Sequence, residues 1–507
     1  MVLVETKDYR FYYPEQDKYA ISIDEWKIEK GTFCLLVGDS GCGKTTLLRQ
    51  LAGNNDWQGR EEGVLTVHTD KTGYVWQNPD NQIVTDRVEH EIVFSLENEG
   101  MTVEQMRRKL AEIVAIFGLE DLLAKDTMAL SGGEKQMLNI ASALVMDTEL
   151  LLLDEPTSQL DPVSATRLYD MLRHINEEYG ITIVMAEQRL EEAVIYADTM
   201  LLLSGGNIVS QGLIKEVYEE IRGTENERFF PSYMKFFEKE LPWTKKEARL
   251  FFQKMYESTE SNPPKQTEQS TNEVFCNHLR FRYEKNSHDV LSECTCRIAK
   301  EKITCIVGAN GSGKTTLLRI LSGQFIPYYG KVKHMSKSVS YLPQNPDYMF
   351  LAETVEKEIH LAGEEAKQLL QRFGLEEYGK RHPLDLSGGE KQRLALCLVL
   401  SKEADCYLLD EPTKGMDGYT KHILMHMLRQ KKEQGKTVII VSHDMEFVAR
   451  AADDVALMFQ GNIETVQNAR DFLEGNRFYT TSIHRIAKEV SEHIITEEDI
   501  SLYAKKK

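Results

Sequence analysis

A glycine-rich run in the first half of the chain reads Gly38-Asp39-Ser40-Gly41-Cys42-Gly43-Lys44-Thr45-Thr46. It follows an apolar stretch, Phe33 to Val37, and leads into a helix-like Thr-Thr-Leu-Leu-Arg segment. The run fits the pattern G-x-x-x-x-G-K-[ST]. Its glycines let backbone N–H groups close around phosphate oxygens, its lysine reaches the terminal phosphates, and the hydroxyl after it holds Mg²⁺. Between a strand and a helix, this run predicts a binding loop for a nucleoside triphosphate.

The second half of the chain carries a run of the same type in the same setting. It follows the apolar stretch Ile303 to Val307 and reads Gly308-Ala309-Asn310-Gly311-Ser312-Gly313-Lys314-Thr315-Thr316. One match to so short a pattern can arise by chance, but two matches in corresponding contexts make chance negligible. The sequence therefore predicts that the chain binds two nucleoside triphosphates, or descends from a protein that did.

Composition limits the other functions that the chain can have. Its 507 residues and 41% hydrophobic content suit a globular protein of several domains. No stretch approaches 18 consecutive apolar residues, so we expect no segment to span a bilayer, and the N-terminus lacks the pattern of a secretory signal. Eight cysteines without a CxxC pair fit a reducing cytoplasm. The net charge of −19 argues against a nucleic-acid partner and suits basic protein partners, or solubility alone.

Further motifs follow each loop in the same order, so the chain consists of two long repeats. Residues 1–222 and 274–465 are predicted to form two α/β domains. Between them, residues 223–273 begin with aromatic and charged positions at roughly helical spacing, which predicts two short helices packed on the first domain. From Glu257 to Glu273 the chain is rich in Ser, Thr, Glu, Gln and Pro, which predicts a flexible tether containing the domain boundary. Residues 466–507 are predicted to form a helical tail.

Four features of the first half supply the chemistry that a triphosphate needs. Tyr13 precedes the phosphate loop and offers a ring that can stack on an adenine face. Gln77 ends an apolar strand and can touch Mg²⁺ or the attacking water. Another apolar strand delivers Asp154, which would hold Mg²⁺, and Glu155, which would polarise the nucleophilic water. The run Ser131-Gly132-Gly133 offers a hydroxyl and glycine amides at a helix start, which predicts a second anion site.

The second half repeats these features and adds a histidine. The corresponding residues are Tyr283, Gln344, Ser387, Gly388, Gly389, Asp410 and Glu411. A strand from Val438 to Val441 then ends at Ser442-His443-Asp444, where His443 can contact the γ-phosphate and position the water. The metal ligands predicted in the two halves are Thr45, Gln77 and Asp154, and Thr315, Gln344 and Asp410.

The order of motifs resembles that of the ATP-binding cassette (ABC) ATPases. Phosphate loop, glutamine loop, Leu-Ser-Gly-Gly-Glu signature, Asp-Glu strand and His loop occur twice, and the signature is highly specific to that superfamily. The resemblance covers nearly the whole chain except the tether and the tail. It implies ATP hydrolysis with ATP and Mg²⁺ as cofactors. It also implies an α/β fold with two tandem P-loop NTPase nucleotide-binding domains, each with a RecA-like core, an antiparallel β subdomain and an α-helical signature subdomain.

In such families the two cassettes pair head-to-tail, and each nucleotide lies between the phosphate loop of one and the signature of the other. The resemblance implies that one site combines Lys44, Thr45, Gln77, Asp154 and Glu155 with Ser387-Gly388-Gly389. The other site would combine Lys314, Thr315, Gln344, Asp410, Glu411 and His443 with Ser131-Gly132-Gly133. Fusion of the two cassettes would make this pairing intramolecular.

Within the superfamily, the segment Gln77 to Ile92 resembles the ATPases of energy-coupling factor (ECF) importers, and Gln344 to Ile359 is a weaker copy. Glu187 and Arg189 fit the same group. The resemblance implies a peripheral subunit at the cytoplasmic face of the cell membrane that energises import of a vitamin, a vitamin precursor or a transition-metal ion. Its implied partners are a transmembrane coupling subunit, whose Arg-bearing helices enter grooves beside the glutamine loops, and a substrate-binding membrane subunit. We expect acidic residues to line the two grooves: Asp80, Asp86, Glu89 and Glu91, and Asp347, Glu353 and Glu356.

One position departs from the family pattern. The residue expected to be histidine in the first half is Gln188. Glutamine can donate a hydrogen bond to phosphate, but it cannot carry a positive charge or shuttle a proton. We expect the Lys44 site to hydrolyse ATP more slowly than the Lys314 site, unless glutamine is a neutral replacement there.

Two other functions fit parts of the sequence. Soluble tandem-cassette factors that act on ribosomes also join two cassettes without membrane segments. They are expected to carry a long, basic, helical linker, whereas this linker has mixed charge. The fused ATPase of a sugar importer has a similar length, but the Gln-Asn-Pro-Asp run counts against it. The transported substrate cannot be deduced from this chain, because selectivity lies in another polypeptide.

Overall fold

The computed structural model describes ten ranges of the chain: 1–14, 16–53, 59–158, 160–187, 190–237, 242, 244–259, 272–285, 287–334 and 338–507. These residues form two compact units, Met1–Pro231 and Ser232–Lys507. Each unit is built around buried apolar clusters of its own.

Unit 1 is organised by one mixed sheet with the strand order β4-β1-β2-β9-β8-β3-β7-β6-β5. The neighbours from β8 to β5 are parallel, whereas β1 pairs antiparallel with both β2 and β4. The strands are β1 (Val2–Tyr12), β2 (Ile21–Glu29), β3 (Phe33–Gly38), β4 (Arg60–Val67), β5 (Thr72–Val75), β6 (Leu150–Asp154), β7 (Thr182–Ala186), β8 (Thr199–Ser204) and β9 (Asn207–Leu213).

The central strands of unit 1 are buried along their whole length, as expected for a parallel sheet with both faces covered. The helices are α1 (Lys44–Leu51), α2 (Val88–Asn98), α3 (Val103–Phe117), α4 (Gly132–Leu144), α5 (Pro162–Tyr179), α6 (Leu190–Ala193) and α7 (Ile214–Ile221). Helices α2, α3 and α4 pack on one another and form a separate helical subdomain. It begins with the glutamine loop and ends with the signature helix.

Unit 2 repeats this plan. Its core sheet has the order β15-β16-β17-β13-β18-β19, which matches β5-β6-β7-β3-β8-β9 of unit 1. The strands from β15 to β18 are parallel, and β19 pairs antiparallel with β18. A second sheet has the antiparallel order β12-β11-β14. The strands are β10 (Tyr256–Ser258), β11 (Asn272–Phe281), β12 (Leu291–Ala299), β13 (Ile303–Val307), β14 (Tyr329–His334), β15 (Val339–Leu342), β16 (Cys406–Asp410), β17 (Thr437–Val441), β18 (Asp454–Phe459), β19 (Asn462–Asn468) and β20 (Ala504–Lys506).

The helices of unit 2 include a helical subdomain formed by α10, α11 and α12. The helices are α8 (Lys245–Met255), α9 (Lys314–Leu321), α10 (Val355–Ala362), α11 (Glu364–Arg372), α12 (Gly388–Leu400), α13 (Gly418–Glu433), α14 (Met445–Ala451), α15 (Ala469–Gly475), α16 (Ser482–Ala487) and α17 (Glu497–Tyr503). The predicted fold class is therefore confirmed: both halves are α/β, with a parallel core, an antiparallel β subdomain and a helical signature subdomain.

The segment after the first cassette is divided between the units: residues 223–231 belong to unit 1, and the part from Ser232 onward belongs to unit 2. Helix α8 packs against α16 of the C-terminal tail, and β10 pairs antiparallel with β20 at the end of the chain. The prediction that the helices of this segment pack on the first domain was wrong for α8. Its apolar face, with Ala248 and Phe252 buried, is covered by tail residues that are remote in sequence. Most of the predicted tether lies outside the described residues, and both of its described ends belong to unit 2.

Two parts of this region repeat one another. Helix α8 starts at Thr244 with a capping box to Glu247, and α17 starts at Thr496 with a capping box to Asp499. Each helix leads directly into one of the two paired strands, β10 and β20. We define the accessory module as residues 232–258 and 469–507. It joins an extension of each cassette within unit 2.

The helices show no sign of a membrane span. Within the described ranges, none of them combines the length and the apolar content that crossing a bilayer requires.

Candidate nucleotide-binding sites

The topology brings the predicted site residues of each unit to one edge of its sheet. The phosphate loop follows β3, the glutamine loop follows β5, and the Asp-Glu pair ends β6. These strands are parallel, so their carboxyl ends lie at the same edge, where open α/β sheets bind ligands. The same holds for β13, β15, β16 and β17 of unit 2.

The first phosphate loop wraps around the Lys44 side chain. Lys44 is buried, and its Nζ donates hydrogen bonds to the carbonyl oxygens of Gly38 at 2.7 Å and Asp39 at 3.0 Å. Gly38 has φ +150°, and a Cβ there would lie 2.2 Å from the carbonyl oxygen of Leu203, so only glycine fits. The lysine ammonium is therefore held at the centre of a loop that leads into the N-terminus of α1.

Thr45 and Asp154 form a pair of oxygen ligands beside this loop. The Thr45 hydroxyl donates to Asp154 Oδ1 at 3.1 Å, and the Tyr74 hydroxyl approaches Oδ2 at 3.4 Å. Burial raises the pKa of Asp154, while the hydrogen bond from Thr45 and the nearby charge of Lys44 lower it. A carboxylate and a hydroxyl are hard oxygen donors, so the two side chains fit Mg²⁺.

Glu155 lies on a sharp turn directly after the strand. Its φ of +46° is rare for a residue other than glycine, and such strain at a strand end is common in functional sites. The side chain is buried, and the Gln77 side-chain amide donates to Glu155 Oε2 at 2.8 Å. The structure thus joins the glutamine loop directly to the carboxylate that we expect to polarise water.

The signature turn of unit 1 is a well-formed helix start. Ser131 caps α4 through a capping box with Glu134, which leaves Gly132 and Gly133 in the first turn of the helix. A Cβ on Gly133 would lie 3.4 Å from the Leu160 side chain, which belongs to the loop after Glu155. The turn presents a serine hydroxyl and a helix N-terminus, which is a setting suited to an anion.

Gln188, which takes the place of the histidine in unit 1, and its neighbour Arg189 lie outside the described residues. The residue before them, Glu187, is buried. Its Oε2 accepts hydrogen bonds from the Thr157 hydroxyl at 2.6 Å and the Tyr169 hydroxyl at 3.1 Å. Since Thr157 follows Glu155 by two residues, Glu187 fixes the loop that carries the catalytic candidate.

The second phosphate loop has the same internal geometry. Lys314 Nζ donates to the carbonyl oxygens of Gly308 and Ala309, both at 2.9 Å. A Cβ on Gly308 would lie 2.2 Å from the Met458 carbonyl oxygen, which reproduces the close approach at Gly38. The two halves therefore hold their lysines in the same way.

Asp410 is fully buried at the end of β16. Among the described residues, neither of its carboxylate oxygens has a hydrogen-bond partner of good geometry. Burial raises its pKa to about 6, although the Thr315 hydroxyl and the charge of Lys314 oppose the shift. A buried carboxylate with unpaired oxygens beside a threonine hydroxyl fits Mg²⁺, which would supply charge neutralisation of the phosphates when bound.

Glu411 pairs with the histidine of unit 2. The backbone at Glu411 has φ +50°, close to the +46° of Glu155. In unit 2, His443 Nε2 lies 3.2 Å from Glu411 Oε1. The His443 backbone N–H also reaches Glu411 Oε2 at 3.4 Å. Gln344, the counterpart of Gln77, is exposed. The two glutamates thus have different partners: an amide in unit 1 and an imidazole in unit 2.

The signature turn of unit 2 is in close contact with the loop after Glu411. Ser387 caps α12 through a capping box with Glu390, as in unit 1. Gly415 has φ +68°, and a Cβ there would lie 3.2 Å from Gly389 Cα. Gln392, on the same helix, donates from Nε2 to the Glu411 carbonyl oxygen at 3.3 Å. Signature and catalytic loop are therefore packed backbone to backbone within this unit.

The two tyrosines lie beside the phosphate-loop helices. The Tyr13 hydroxyl is 2.8 Å from Thr46 Oγ1, and the Tyr283 hydroxyl is 2.9 Å from Thr316 Oγ1. Tyr13 packs edge-on against Phe11. Both rings are thus next to the first turn of the helix that follows the phosphate loop, where we expect the base to stack.

Sequence reasoning missed several residues of these sites. Tyr74, Thr157 and Gln392 contact Asp154, Glu187 and Glu411 without belonging to a predicted set. Arg228, in the 3₁₀ turn Glu225–Phe229, forms an ion pair with Asp39 of the first phosphate loop. These contacts join segments that are remote in sequence, so no local pattern could have shown them.

Comparison with known proteins adds the family. The chain matches the ABC_tran model, described as ABC transporter, over residues 22–158 and 291–414. A provisionally named ABC transporter ATP-binding protein of Bacillus thuringiensis subsp. konkukian (strain 97-27) is 37% identical over 98% of this chain and 97% of that protein. A protein of Bacillus subtilis (strain 168) with the provisional name HMP/thiamine import ATP-binding protein YkoD is 30% identical over 90% of each chain.

The fold is also found in solved structures. A chain in the complex of archaeal ribosomal stalk protein aP1 and archaeal ribosome recycling factor aABCE1 matches with a TM-score of 0.60. The match covers 90% of this chain and 89% of that one, at 21% identity, and shows likeness of fold alone. The family follows from the sequence matches: this chain belongs to the ABC transporter ATP-binding proteins, a family of ATPases, and carries two of their cassettes.

Proposed function

We propose that the chain binds and hydrolyses ATP to energise an ECF-type importer through separate transmembrane subunits, as a peripheral protein on the cytoplasmic face of the membrane. The observation that carries this proposal is a surface that occurs twice. Around each glutamine loop, apolar side chains are exposed at corresponding positions of the two cassettes. The pairs are Val84 and Leu351, Phe94 and Leu361, and Met128 and Leu384.

The duplication distinguishes this surface from scattered exposed apolar residues. Single exposed apolar side chains are normal on soluble proteins and need no explanation. Val84 is 70% exposed and Leu351 is 87% exposed, and both lie in the loop between the glutamine and the first helix of the helical subdomain. An exposed apolar residue retained at the same place in both halves favours a partner that docks on both. We assign this partner as the transmembrane coupling subunit.

Each docking loop is held in a fixed shape. The buried carboxylate of Glu91 accepts the backbone N–H groups of Val84 and Thr85 at 3.1 and 2.7 Å. Glu358 does the same for Leu351 and Ala352 at 3.0 and 2.6 Å. A preorganised loop loses less entropy when a partner binds.

The expected acidic lining of the grooves needs correction. Glu91 is buried, and its carboxylate accepts hydrogen bonds from backbone N–H groups, so it cannot face a partner. Asp80 and Asp347 are exposed in part, but each is paired with a lysine of the signature helix: Asp80 with Lys135 at 2.6 Å and Asp347 with Lys391 at 3.2 Å. These pairs join the glutamine loop to the signature helix. Of the predicted acids in unit 1, Asp86 and Glu89 remain exposed for a basic partner.

These contacts suggest how docking is coupled to hydrolysis. A partner that moves the loop of unit 1 acts on Gln77, whose amide holds Glu155 at 2.8 Å, and on Asp80, whose carboxylate holds the signature helix. Glu155 and the signature of unit 1, which head-to-tail pairing assigns to two different nucleotide sites, would then move together. Nucleotide binding would favour the arrangement in which both are in place, and release of ADP and phosphate would favour the other.

The hydrolytic roles follow from the residues at the sheet edge. Lys44 and Lys314 bind the terminal phosphates, and Thr45 with Asp154 and Thr315 with Asp410 would hold Mg²⁺. Glu155 and Glu411 polarise the attacking water, and His443 keeps Glu411 in position at 3.2 Å. In the head-to-tail pairing that the family resemblance implies, the signature serine and glycines of the opposite cassette would complete each site.

The class of cargo is proposed from a relative. The Bacillus subtilis protein YkoD is named for import of HMP and thiamine. Likeness over 90% of both chains supports a vitamin or vitamin precursor as the cargo, with a transition-metal ion as the other member of the proposed range.

The test is capture of partners from the native cell. Tagged protein from detergent-solubilised membranes should retain multi-spanning membrane proteins, and Val84→Asp with Leu351→Asp should release them. Ile326→Asp is the matched control, because Ile326 is 86% exposed and precedes β14, outside the segment from Gln344 to α10 that carries Leu351. Recovery of ribosomes in place of membrane proteins would contradict the proposal and favour a ribosome-associated factor.

A further inference from the structure

The first phosphate loop carries an acidic side chain in a place built for anions. Asp39 follows the first glycine of the loop, and its own carbonyl oxygen accepts from Lys44 Nζ at 3.0 Å. A carboxylate in this position repels the triphosphate, since unit charges a few ångströms apart still interact in partly exposed surroundings. The corresponding residue of the second loop is Ala309, which carries no charge.

The structure provides a cation for this carboxylate from outside all of the nucleotide motifs. Arg228 Nη2 lies 2.6 Å from Asp39 Oδ2, and both side chains are partly buried, with exposures of 39% and 29%. Arg228 belongs to the turn Glu225–Phe229, which ends just before the junction of the two units. The ion pair therefore connects the phosphate loop of the first cassette with the segment that leads into unit 2.

The turn that carries Arg228 is anchored. Glu227 accepts a hydrogen bond from the Tyr218 hydroxyl at 3.0 Å and one from the Gly223 backbone N–H at 3.1 Å. Phe230 packs edge-on against the Tyr218 ring at a centroid distance of 4.9 Å. Because the residues on both sides of Arg228 are fixed on α7, the guanidinium is presented to Asp39 at reduced entropic cost.

We propose that Arg228 is a nucleotide-affinity residue of the first site, which acts by neutralising Asp39 beside the triphosphate. The proposal rests on the proposed binding of ATP at the Lys44 loop. Without Arg228, the Asp39 carboxylate would face the phosphates without the positive charge of the guanidinium, and affinity would fall. The second site needs no such residue, because the position that corresponds to Asp39 is Ala309, which has no charge to neutralise. The run that matches Arg228-Phe229-Phe230 in the second half is Arg-Phe-Tyr, and its arginine is Arg477.

The experiment measures binding of a non-hydrolysable ATP analogue with Mg²⁺ to the full-length chain in a Lys314→Ala background, which restricts binding to the first loop. Arg228→Ala should raise the Kd about threefold to tenfold at low ionic strength, with a smaller effect in high salt. Arg228→Lys should stay within about twofold of the parent, since it keeps the charge. Arg477→Ala, at an exposed position, is the matched control and should leave the Kd unchanged.

Rescue separates charge compensation from other roles of Arg228. Asp39→Asn added to Arg228→Ala should restore the parental Kd, because the uncompensated charge is then absent. A Kd unchanged by Arg228→Ala would overturn the proposal. A weakened Kd that Asp39→Asn fails to restore would also overturn it, and would favour direct contact of Arg228 with the nucleotide or a structural defect. If the Lys314→Ala parent itself failed to bind, nucleotide binding at the first loop would be refuted, and the inference with it.

Discussion

At the scale of single residues, the two catalytic candidates have the same backbone but different partners. Glu155 and Glu411 both follow a buried strand with φ near +50°, so the local sequence Asp-Glu-Pro after an apolar run was enough to locate them. Their partners could not be predicted, because Gln77 and His443 come from other strands. Which loop reaches the carboxylate depends on packing between segments that are remote in sequence.

Turnover should depend more on Glu411 than on Glu155. The imidazole of His443 lies 3.2 Å from Glu411 and can carry a proton, whereas Gln77 gives Glu155 only an amide hydrogen bond at 2.8 Å. We expect Glu411→Gln to remove most of the ATPase activity of the full chain and Glu155→Gln to remove a smaller part. Steady-state phosphate release, with nucleotide binding as the control, measures the difference. Equal losses would show that the two sites turn over alike and that Gln188 is a neutral replacement.

The contact between Gly415 and Gly389 gives a second prediction at this scale. Alanine at Gly415 suffers twice: its φ of +68° strains any side chain by roughly 1–2 kcal/mol, and its Cβ would lie 3.2 Å from the Gly389 Cα. Gly374 is the matched control, with φ +65° and open space around its Cβ. Both variants should lower thermal stability, Gly415→Ala by the larger amount because of its backbone contact, and only Gly415→Ala should reduce ATPase activity severalfold. Equal activities would mean that the signature turn tolerates displacement.

At the scale of elements, the sequence predicts what local periodicity controls. Continuous apolar runs located β3, β6, β13 and β16, because strands buried on both faces need apolar residues at every position. The helix start expected at Ser131-Gly132-Gly133 is the start of α4, where Ser131 and Glu134 form a capping box, which is a local interaction. The packing of α8 was not predictable. Helix α8 is amphipathic, so its sequence indicates an apolar face that must be covered. Only the tertiary structure shows that α16 covers it.

The accessory module contains a buried histidine, from which we expect this region to be sensitive to acid. His484 is 1% exposed, and its Nδ1 donates to the Ile494 carbonyl oxygen at 2.9 Å, because a carbonyl can only accept. Among the described residues, its Nε2 has no hydrogen-bond partner. Burial lowers the pKa of His484 below its ordinary value of 6.5, the charge of Lys488 lowers it further, and the Ile494 carbonyl opposes the shift.

A lowered pKa in the folded state fixes the direction of the pH effect. The unfolded chain binds the proton more tightly, so the stabilising contribution of neutral His484 is present above pH 6.5 and is lost as the pH falls below it. The protection factors of the amides in α16 and α17, which compare each exchange rate with the intrinsic rate at the same pH, should therefore fall on acidification from pH 7.5 to 5.5. His484→Gln should weaken this pH dependence, whereas His422→Gln, at an exposed position of α13, should leave it unchanged. Identical profiles for the parent and His484→Gln would exclude the histidine as the cause.

At the scale of the whole molecule, the chain passes from one unit to the other at a different segment from the one expected. The boundary was expected within residues 257–273, but the chain passes from unit 1 to unit 2 between Pro231 and Ser232. Thr259 and Asn272, the described residues on either side of the polar segment, both belong to unit 2. Composition identifies a polar segment, but it cannot show which unit each of its ends joins.

Cutting the polar segment should therefore leave the protein in one piece. Two contacts hold the two sides of the cut together within unit 2. Strand β10 pairs with β20, and α8 packs on α16, where Arg249 donates to the Arg485 carbonyl oxygen at 3.3 Å. A protease site placed within residues 260–271 should give two fragments that elute together from a gel-filtration column and keep most of the ATPase activity. Fragments that separate after cleavage would show that the polar segment is what joins the cassettes.

A disulfide across the two strands tests the same pairing directly. Glu257 and Lys505 are register partners in the antiparallel pair β10–β20, so cysteines at both positions should oxidise to one intramolecular bond. The native cysteines are all buried and should not compete. After cleavage of the polar segment, Glu257→Cys with Lys505→Cys should run as one band in denaturant without reductant, and Glu257→Cys alone should run as two.

The disulfide should leave ATPase activity within about twofold of that of the reduced protein. Both strands belong to unit 2, and an unstrained disulfide within one unit acts mainly on the unfolded state. Activity abolished by oxidation and restored by reductant would mean that the accessory module opens during turnover.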